Sequence, residues 1–372
     1  MANTFFKSFA ESDRTSSRTL LHEAIPITGS LLSGTYVPGA NVKSFSHGMF
    51  KSVYDYPYLS SSANHLLDVT WGYSTGSCHA NTLGGCQGGN ALSTDTPIVG
   101  SVTHQADKKK NMFNQMAQIL AGFDTSGSIR LFDYDGDFGS GTKYQTAAFV
   151  TFSRLLVKDE IKKGSFSMTI GTHNTYETAH NTTVTLTDSG ADTNYKINSP
   201  AGEYGILYTS SVGGGGGATG YGDPRGLIYY QAGVVVIPAS LTAGGGAVTT
   251  AEWVPDGSHR DDIMKTGSMD QYSDGFIHRI KNISFNNTTE LNSTIYFCRA
   301  NHNEFNYSSN PTYLSGSKIT VKADDIMMPP RSYVTTVGLY SADNELLAVA
   351  KLSEPLRKDP TNELTLRVRL DY

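Results

Sequence analysis

The chain has 372 residues, enough for two or three domains that each bury a core. Its charged fraction of 17% lies below the roughly 25% of typical globular proteins, whereas 38 glycines and 21 tyrosines favour strands and turns over helices. The net charge of -5 and the lack of a long Lys/Arg tract argue against a nucleic-acid-binding protein, so we expect no nucleic acid among the partners.

Neither export nor membrane insertion is expected for this chain. Lys7 and the charged residues after it precede any apolar stretch of signal-peptide length. The longest apolar run, at 232–239, is far shorter than the about 20 residues of a membrane-spanning helix. Three cysteines in a chain of this length make no disulfide framework, so a reducing compartment is the simpler expectation.

Helical patterns occur in the first third of the chain. Apolar residues between 47 and 69 are spaced unevenly around Pro57, which predicts two short helical segments. A longer helix is predicted at 106–121, because apolar residues recur at helical spacing and Gly122 can end it. These apolar positions are Met112, Met116, Ile119 and Leu120. We expect the lysine run at 108–110 to form a solvated face of this helix.

Strand patterns dominate the rest of the chain. Segments 128–133 and 146–153 are predicted to form two strands joined by a loop. Residues 171–226 are polar and rich in glycine, which indicates an insertion. Within it, we expect 212–222 to be a mobile surface loop, because glycine loses the most entropy on ordering. The apolar stretch 227–238 then predicts a buried pair of strands.

The last hundred residues carry the most regular strand pattern. Segments 334–340 and 346–352 flank a turn at 342–345, which predicts a hairpin. In 364–372, apolar and polar side chains alternate, as expected for a strand with one covered face. We expect a compact β unit at 277–372 with the core side chains Val337, Leu339, Leu347, Val349, Leu366 and Val368.

Together, these patterns predict a mainly β protein with a few helices, of the α+β class. Composition divides the chain into an N-terminal α+β structural domain (1–170), a Gly-rich polar insertion with strands (171–276) and a C-terminal β domain (277–372). The N-terminal part is mixed, and the middle and C-terminal parts are β-rich.

The stretch 76–89 resembles a reactive site, because it combines Cys78, His79 and Cys86 with several glycines. A cysteine nucleophile needs a base that reaches it, and side chains adjacent in sequence usually point apart. A zinc site needs four ligands, and the chain has no Cys-x-x-Cys pair. We therefore expect a glycine-rich loop that binds no metal, carries no covalent intermediate and is suited to contact a neighbouring subunit.

Other short motifs depart from the sites that they resemble. Segment 133–139 begins like a calcium loop, but Phe138 stands at the required glycine and Tyr144 at the required glutamate. We expect a turn between strands there. In the segment from His22 to Pro26, proline replaces the second histidine of a zinc-protease motif.

Two further patterns have ordinary structural explanations. The glycines at 213–217 are not followed by the Gly-Lys-Ser/Thr of a phosphate-binding loop. The charged residues at 158–163 are expected to form a solvated helical turn rather than an acid/base pair. We therefore expect no catalytic, cofactor-binding or metal-binding residues and no cofactor, and we predict that the protein is not an enzyme.

Seven segments carry a resemblance to a known group of proteins. They lie at 18–29, 46–65, 111–118, 152–164, 228–233, 303–313 and 333–340, and they leave 172–226 and 240–275 least covered. In these segments the chain resembles virion structural proteins, of the baseplate or tail type, from contractile-tailed bacteriophages of aquatic bacteria. The resemblance implies a structural role without catalytic residues or a cofactor.

We therefore expect a bacteriophage virion structural protein, a tail or baseplate component that joins neighbouring subunits during assembly. Its expected location is the virion, assembled in the host cytoplasm. Its expected partners are other tail or baseplate proteins and copies of itself. The alternatives within this class are a neck, head-decoration or fibre-attachment protein. From another class, tyrosine-rich loops suggest a carbohydrate-binding module, and Cys78 with His79 suggests a Cys/His hydrolase of a phage tail.

Overall fold

The computed structural model describes residues 6–28, 40–74, 102–139, 141, 143–209, 224–238, 251–265, 267–308, 310–321 and 327–372. The strands are β1 (Arg14–Thr28), β2 (Val42–Ser44), β3 (Lys51–Tyr54), β4 (His65–Tyr73), β5 (Thr146–Phe152), β6 (Glu160–Ile161), β7 (Ser167–Gly171), β8 (Thr183–Thr187), β9 (Tyr204–Thr209), β10 (Pro224–Tyr229), β11 (Val234–Pro238), β12 (Ile280–Ala300), β13 (Leu314–Ser315), β14 (Lys318–Ile319), β15 (Ser332–Tyr340), β16 (Leu346–Lys358) and β17 (Leu364–Asp371). The α-helices are α1 (Val102–Leu120), α2 (Arg154–Val157), α3 (Arg260–Lys265) and α4 (Met269–Arg279), with 3₁₀ turns at Glu11–Asp13 and Pro311–Tyr313. The prediction of a mainly β protein with a few helices is confirmed.

The chain divides into two compact units. We call Leu21–Thr289 the central unit, and Met1–Leu20 together with Glu290–Tyr372 the terminal unit. The boundaries fall inside β1 and β12, so each of these strands has a part in either unit. The division predicted from composition, at 1–170, 171–276 and 277–372, follows changes in residue type rather than contacts, and it stays a prediction.

The central unit is built on an antiparallel sheet. Its strands follow the order β12-β7-β8-β9-β10-β11-β5-β4-β3-β2, and neighbours run antiparallel. The predicted strand pair at 227–238 is confirmed, since β10 and β11 form a hairpin in which Leu227 faces Val236. The predicted strand at 146–153 is β5, which pairs with β11 and β4. The other predicted strand, at 128–133, is wrong, because this segment makes isolated bridges instead.

Successive side chains of the middle strands enter two separate apolar clusters. On β11, Val235 and Ile237 join one cluster, whereas Val234 and Val236 join the other. Alternate side chains of a strand point to opposite faces, so both faces of the sheet are buried here. This double burial explains why β11 is apolar throughout rather than alternating with polar residues.

Helix α1 confirms the helix predicted at 106–121, although it begins at Val102. Of the predicted apolar positions, Met112 and Leu120 are buried, but Ile119 is 62% exposed. Phe113 and Ala117 complete the buried face. The helix packs closely on β4 at Gly72, where any side chain would clash with the Lys109 carbonyl oxygen. Among the helices of the described ranges, none combines the length and apolar character needed to cross a membrane.

Two sequence predictions in this unit are wrong. Residues 47–69 form no helices: β3 and β4 pair across a turn, with Lys51 facing Val69. The pairing of β4 with β5 determines the structure of this segment, whatever the local spacing of its apolar residues. The lysine run at 108–110 is not uniformly solvated, since Lys109 is buried and donates hydrogen bonds to the carbonyls of Met264 (3.1 Å) and Gly267 (2.8 Å).

The terminal unit combines a small sheet with two hairpins. The part of β12 in this unit pairs with β17, where Ser293 faces Asp371 and Ala300 faces Leu364. Strands β13 and β14 form a short hairpin, and β15 and β16 form a long one. The predicted hairpin at 334–352 and the predicted strand at 364–372 are both confirmed.

Candidate assembly surface

The described part of the terminal unit has almost no apolar interior. Among its described residues, Leu339 is the single apolar side chain that is buried, and both apolar clusters belong to the central unit. More than half of the large apolar side chains that are exposed in the described part of the chain lie in the terminal unit, although it is the smaller unit. A unit of this size normally buries a core, so its apolar residues are available to a partner.

The hairpin of β15 and β16 has two faces of different character. Val337 faces Ala350 and Leu339 faces Ala348, which places these four side chains on one face. That face is the better covered of the two, with Leu339 buried and the other three partly buried. The pairing is irregular after Leu339, where Tyr340 faces Leu346.

The opposite face carries a contiguous apolar patch, which we call the ribbon face. Alternation places Gly338, Tyr340, Leu347 and Val349 on it. The irregular pairing adds Leu346, which faces Tyr340. The side chains of Tyr340, Leu346, Leu347 and Val349 are 45%, 53%, 67% and 52% exposed in that order, which leaves about half of this apolar surface in contact with water. A methyl group added at Gly338 would lie 3.0 Å from the Tyr340 ring and 3.3 Å from Leu346 Cδ1, so these side chains lie together.

The ribbon face corrects the predicted core of this region. Leu347 and Val349 were expected inside the β unit, but they are exposed, while Leu339 is buried. The remaining predicted core residues, Val337, Leu366 and Val368, are partly buried. Alternation identified the faces of each strand, but it carries no information on whether another layer covers a face.

The edges of this hairpin are also open to a partner. In the described part of the chain, β15 and β16 form a sheet of two strands with no third strand beside them. A two-stranded ribbon is only marginally stable alone in water, and an open strand edge can pair with another chain. The turn is well formed, since Ser341 N donates to the Glu345 carbonyl at 2.9 Å and Asn344 adopts a left-handed φ of 63°.

The N-terminal segment is held to the terminal unit by rings and ion pairs. Phe6 packs edge-on against Tyr340 with ring centroids 4.8 Å apart. Lys7 Nζ lies 2.5 Å from a Glu304 carboxylate oxygen, and Asp13 pairs with an Arg299 nitrogen at 2.8 Å. Such exposed ion pairs are each worth about 0–1 kcal/mol. They position this segment beside the ribbon face without supplying a core.

The structure does not describe the loop with the predicted reactive residues. Cys78, His79 and Cys86 lie outside the described residues, as do the glycine stretches at 212–222 and 213–217. Cys298, on β12, is partly buried, and burial raises the pKa of its thiol. A raised pKa lowers the thiolate fraction, so this cysteine is a poor nucleophile.

The other motifs have structural surroundings. His22 Nδ1 lies 3.3 Å from the Asn287 carbonyl and contacts the Thr288 hydroxyl, so it is part of the pairing of β1 with β12. Residues 158–163 are not the predicted helical turn, because Glu160 and Ile161 form β6 against β12. Asp133, Asp135 and Asp137 do lie in a turn, and one oxygen from each comes within 4.8 Å of the others.

No pattern in the sequence indicates that the arginine at the end of α4 is buried. Arg279 is fully buried and donates hydrogen bonds to the carbonyls of Gly171 (3.2 Å), His173 (2.8 Å) and Glu252 (2.7 Å). Burial lowers the pKa of its guanidinium to about 10. Arg279 connects the end of β7 with the segments that contain His173 and Glu252, which is a structural role.

Comparisons of the chain with protein-family models, with curated proteins and with solved structures give no significant match.

Proposed function

We propose that this chain is a structural protein of a bacteriophage virion, a tail or baseplate component that joins neighbouring subunits during assembly. The observation that carries the proposal is the apolar surface of the terminal unit, above all the ribbon face. The resemblance of seven segments to virion structural proteins supports a place in a virion. The exposed apolar surface supports a role in joining subunits.

A partner would cover apolar surface of the terminal unit that is exposed in the single chain. Full burial of a leucine or valine side chain contributes about 1.5–3 kcal/mol relative to full exposure, so each of the half-exposed Leu346, Leu347 and Val349 can still gain roughly half of that. A strand from a neighbouring subunit can also pair with the open edge of β15 or β16. The partners are copies of this chain and other tail or baseplate proteins, which meet it at high local concentration in the particle.

The proposal is tested on the virion itself. Particles of the phage that encodes this chain are purified and probed with gold-coupled antibodies against the terminal unit, and they are imaged by electron microscopy. Label at the tail end supports a baseplate component. Label at the neck, at the head or along the fibres would show that the protein is a neck, head or fibre component instead. Purified particles that contain no such chain by mass spectrometry contradict the proposal.

A catalytic role makes a different prediction. If Cys78 and His79 serve a hydrolase, purified protein degrades host cell-wall material and Cys78→Ser abolishes the degradation. We expect no degradation by either form. Degradation that depends on the Cys78 thiol would contradict an assembly role as the sole function.

A further inference from the structure

The ribbon face lies between charges of opposite sign. At one end, the turn between β15 and β16 carries the exposed Asp343 and Glu345, which we call the acidic tip. Towards the other end, Lys351 follows Val349 on the same face, lies opposite Thr336 and is exposed. Within the described part of the chain, none of these three charged side chains has an ion-pair partner. Unpaired negative and positive charges therefore flank the apolar patch.

The apolar patch between these charges is continuous. The Tyr340 ring lies against Gly338, where an added methyl group would be 3.0 Å from the ring. Leu346 lies beside the ring, and Leu347 and Val349 extend the patch along β16. Sheets with apolar faces pack face to face about 10 Å apart. Every copy of the chain carries the same patch, so a second copy offers a matching face.

Charge selects one of two ways in which the ribbons of two copies can pack. If they run in the same direction, the two acidic tips meet and their like charges repel. If they run in opposite directions around a two-fold axis, the centre of the contact falls at position 348. Leu347 then lies over the partner's Val349, since both are one residue from the centre. Glu345 and the partner's Lys351 are both three residues from it, so opposite charges meet at each end.

We propose that a second copy of this chain occupies the ribbon face, in a two-fold dimer whose ribbons pack face to face and run in opposite directions. The inference rests on the proposed assembly role and names the occupant of its surface. The acidic tip of each copy contacts the partner's Lys351, and Leu347 contacts the partner's Val349. Because the interface is isologous, each contact occurs twice.

The contact is small, so the dimer is weak. The nine residues of β15 span about 30 Å, and two neighbouring strands make the face about 10 Å wide. A stable dimer buries about 800 Å² per partner. The ribbon face offers less, so we expect a Kd of about 10⁻⁵–10⁻⁴ M. Copies that an assembly holds close together would populate such a contact, because their effective concentration is high.

The experiment measures self-association of the full chain by sedimentation equilibrium, at concentrations up to about ten times the expected Kd. Asp343→Lys with Glu345→Lys makes the tip basic, and Lys351→Glu makes the opposite end acidic. Each variant brings like charges together in its own dimer, so its Kd should be at least about tenfold higher than that of the wild type. In an equimolar mixture, every end contact joins opposite charges, so the Kd should return to within about threefold of the wild type.

Two controls separate charge at the ribbon face from other effects. Glu177→Lys with Asp192→Lys makes the same change of net charge at two exposed acids of the central unit, and it should keep the wild-type Kd. Recovery in the mixture excludes misfolding, because a misfolded chain regains no dimer when another variant is added. Sodium chloride at about 1 M should bring the Kd of the tip variant closer to that of the wild type, since it screens exposed charges.

Three results would overturn the inference. They are a wild-type chain that stays monomeric at the highest concentration, charge variants that keep the wild-type Kd, and a mixture that associates no better than its components. A monomeric wild type would leave the ribbon face to a different virion protein. None of these results decides the proposed function, because gold labelling locates the chain in the particle without depending on a contact between copies. Conversely, a dimer that mixing restores supports the inference even if the particles contain no such chain.

Discussion

The ammonium of Lys358 lies 2.8 Å from Oδ1 of Asn306. Lys358 ends β16 and is fully buried, and it also donates to the carbonyls of Asp359 (2.9 Å) and His302 (3.3 Å). Asn306 in turn donates to the His302 carbonyl at 2.9 Å. In a unit with one buried apolar side chain among its described residues, this polar cluster fixes the end of the hairpin to the loop after β12.

Replacing Lys358 with Met should therefore loosen the terminal unit. The change leaves the amide oxygen of the buried Asn306 and the carbonyl of His302 with fewer donors, at a cost of about 1–3 kcal/mol. We expect faster amide hydrogen exchange at 301–306 and 356–362, measured by mass spectrometry. Lys351→Met, an exposed lysine on the same strand, is the control and should leave exchange unchanged. Equal protection in both variants would show that the cluster is dispensable.

The ribbon face predicts self-association that charge disrupts. Leu347→Lys with Val349→Lys places two charges on the apolar patch, so the oligomer fraction of the purified chain should fall in sedimentation velocity. Leu59→Lys with Leu155→Lys changes two leucines of the central unit that are 87% and 84% exposed, and serves as the matched control. If both double variants associate like the wild type, the ribbon face is not the interface between copies.

Arg279 should be among the most sensitive positions of the central unit. Arg279→Met leaves three carbonyls without their donor and should lower the free energy of unfolding by about 2–4 kcal/mol. Arg279→Lys should recover only part of the loss, because an ammonium lacks the planar fork of donors. Both tryptophans, Trp71 and Trp253, lie in the central unit, so urea unfolding is followed by their fluorescence. Lys281→Met, at an exposed lysine, should leave the midpoint unchanged.

Lys109 predicts a rise in stability with pH. Burial lowers the pKa of its ammonium to about 8, whereas an unfolded lysine titrates near about 10.4. Between these values the unfolded chain holds a proton that the folded chain has released, so unfolding becomes less favourable as pH increases. From pH 8 to 10, we expect wild type to gain about 1–3 kcal/mol relative to Lys109→Met.

The measurement is the difference in unfolding free energy between the two proteins at each pH, which cancels the groups that both share. Lys108→Met changes a partly exposed lysine of the same helix and should keep the wild-type slope. A pH-independent difference between wild type and Lys109→Met would mean that Lys109 keeps an ordinary pKa.

The sequence predicted those elements whose signal is local. Alternation over 364–372 identified β17, the turn residues at 342–345 identified the hairpin, and helical spacing identified α1. At 47–69 the local spacing was misleading, because pairing of β3 with β4 and of β4 with β5 determines the structure. At 133–139, the residues at the fixed positions of a calcium loop carry no information on the convergence of the three aspartates, which depends on how the segment folds.

By itself, the sequence determined that the chain is mainly β and which side chains share a face of each strand, because a strand has a two-residue period whatever surrounds it. Only the tertiary structure decided which faces are covered. Val234–Pro238 is buried on both sides, yet Leu347 and Val349, in the apolar first part of β16, are exposed. The same holds for Lys109, Arg279 and Lys358, whose burial depends on carbonyls and amides brought from distant segments. Such long-range packing produces no periodic pattern in the sequence, so it cannot be predicted from local spacing. It decides which apolar side chains stay exposed and which charged side chains are buried in this protein.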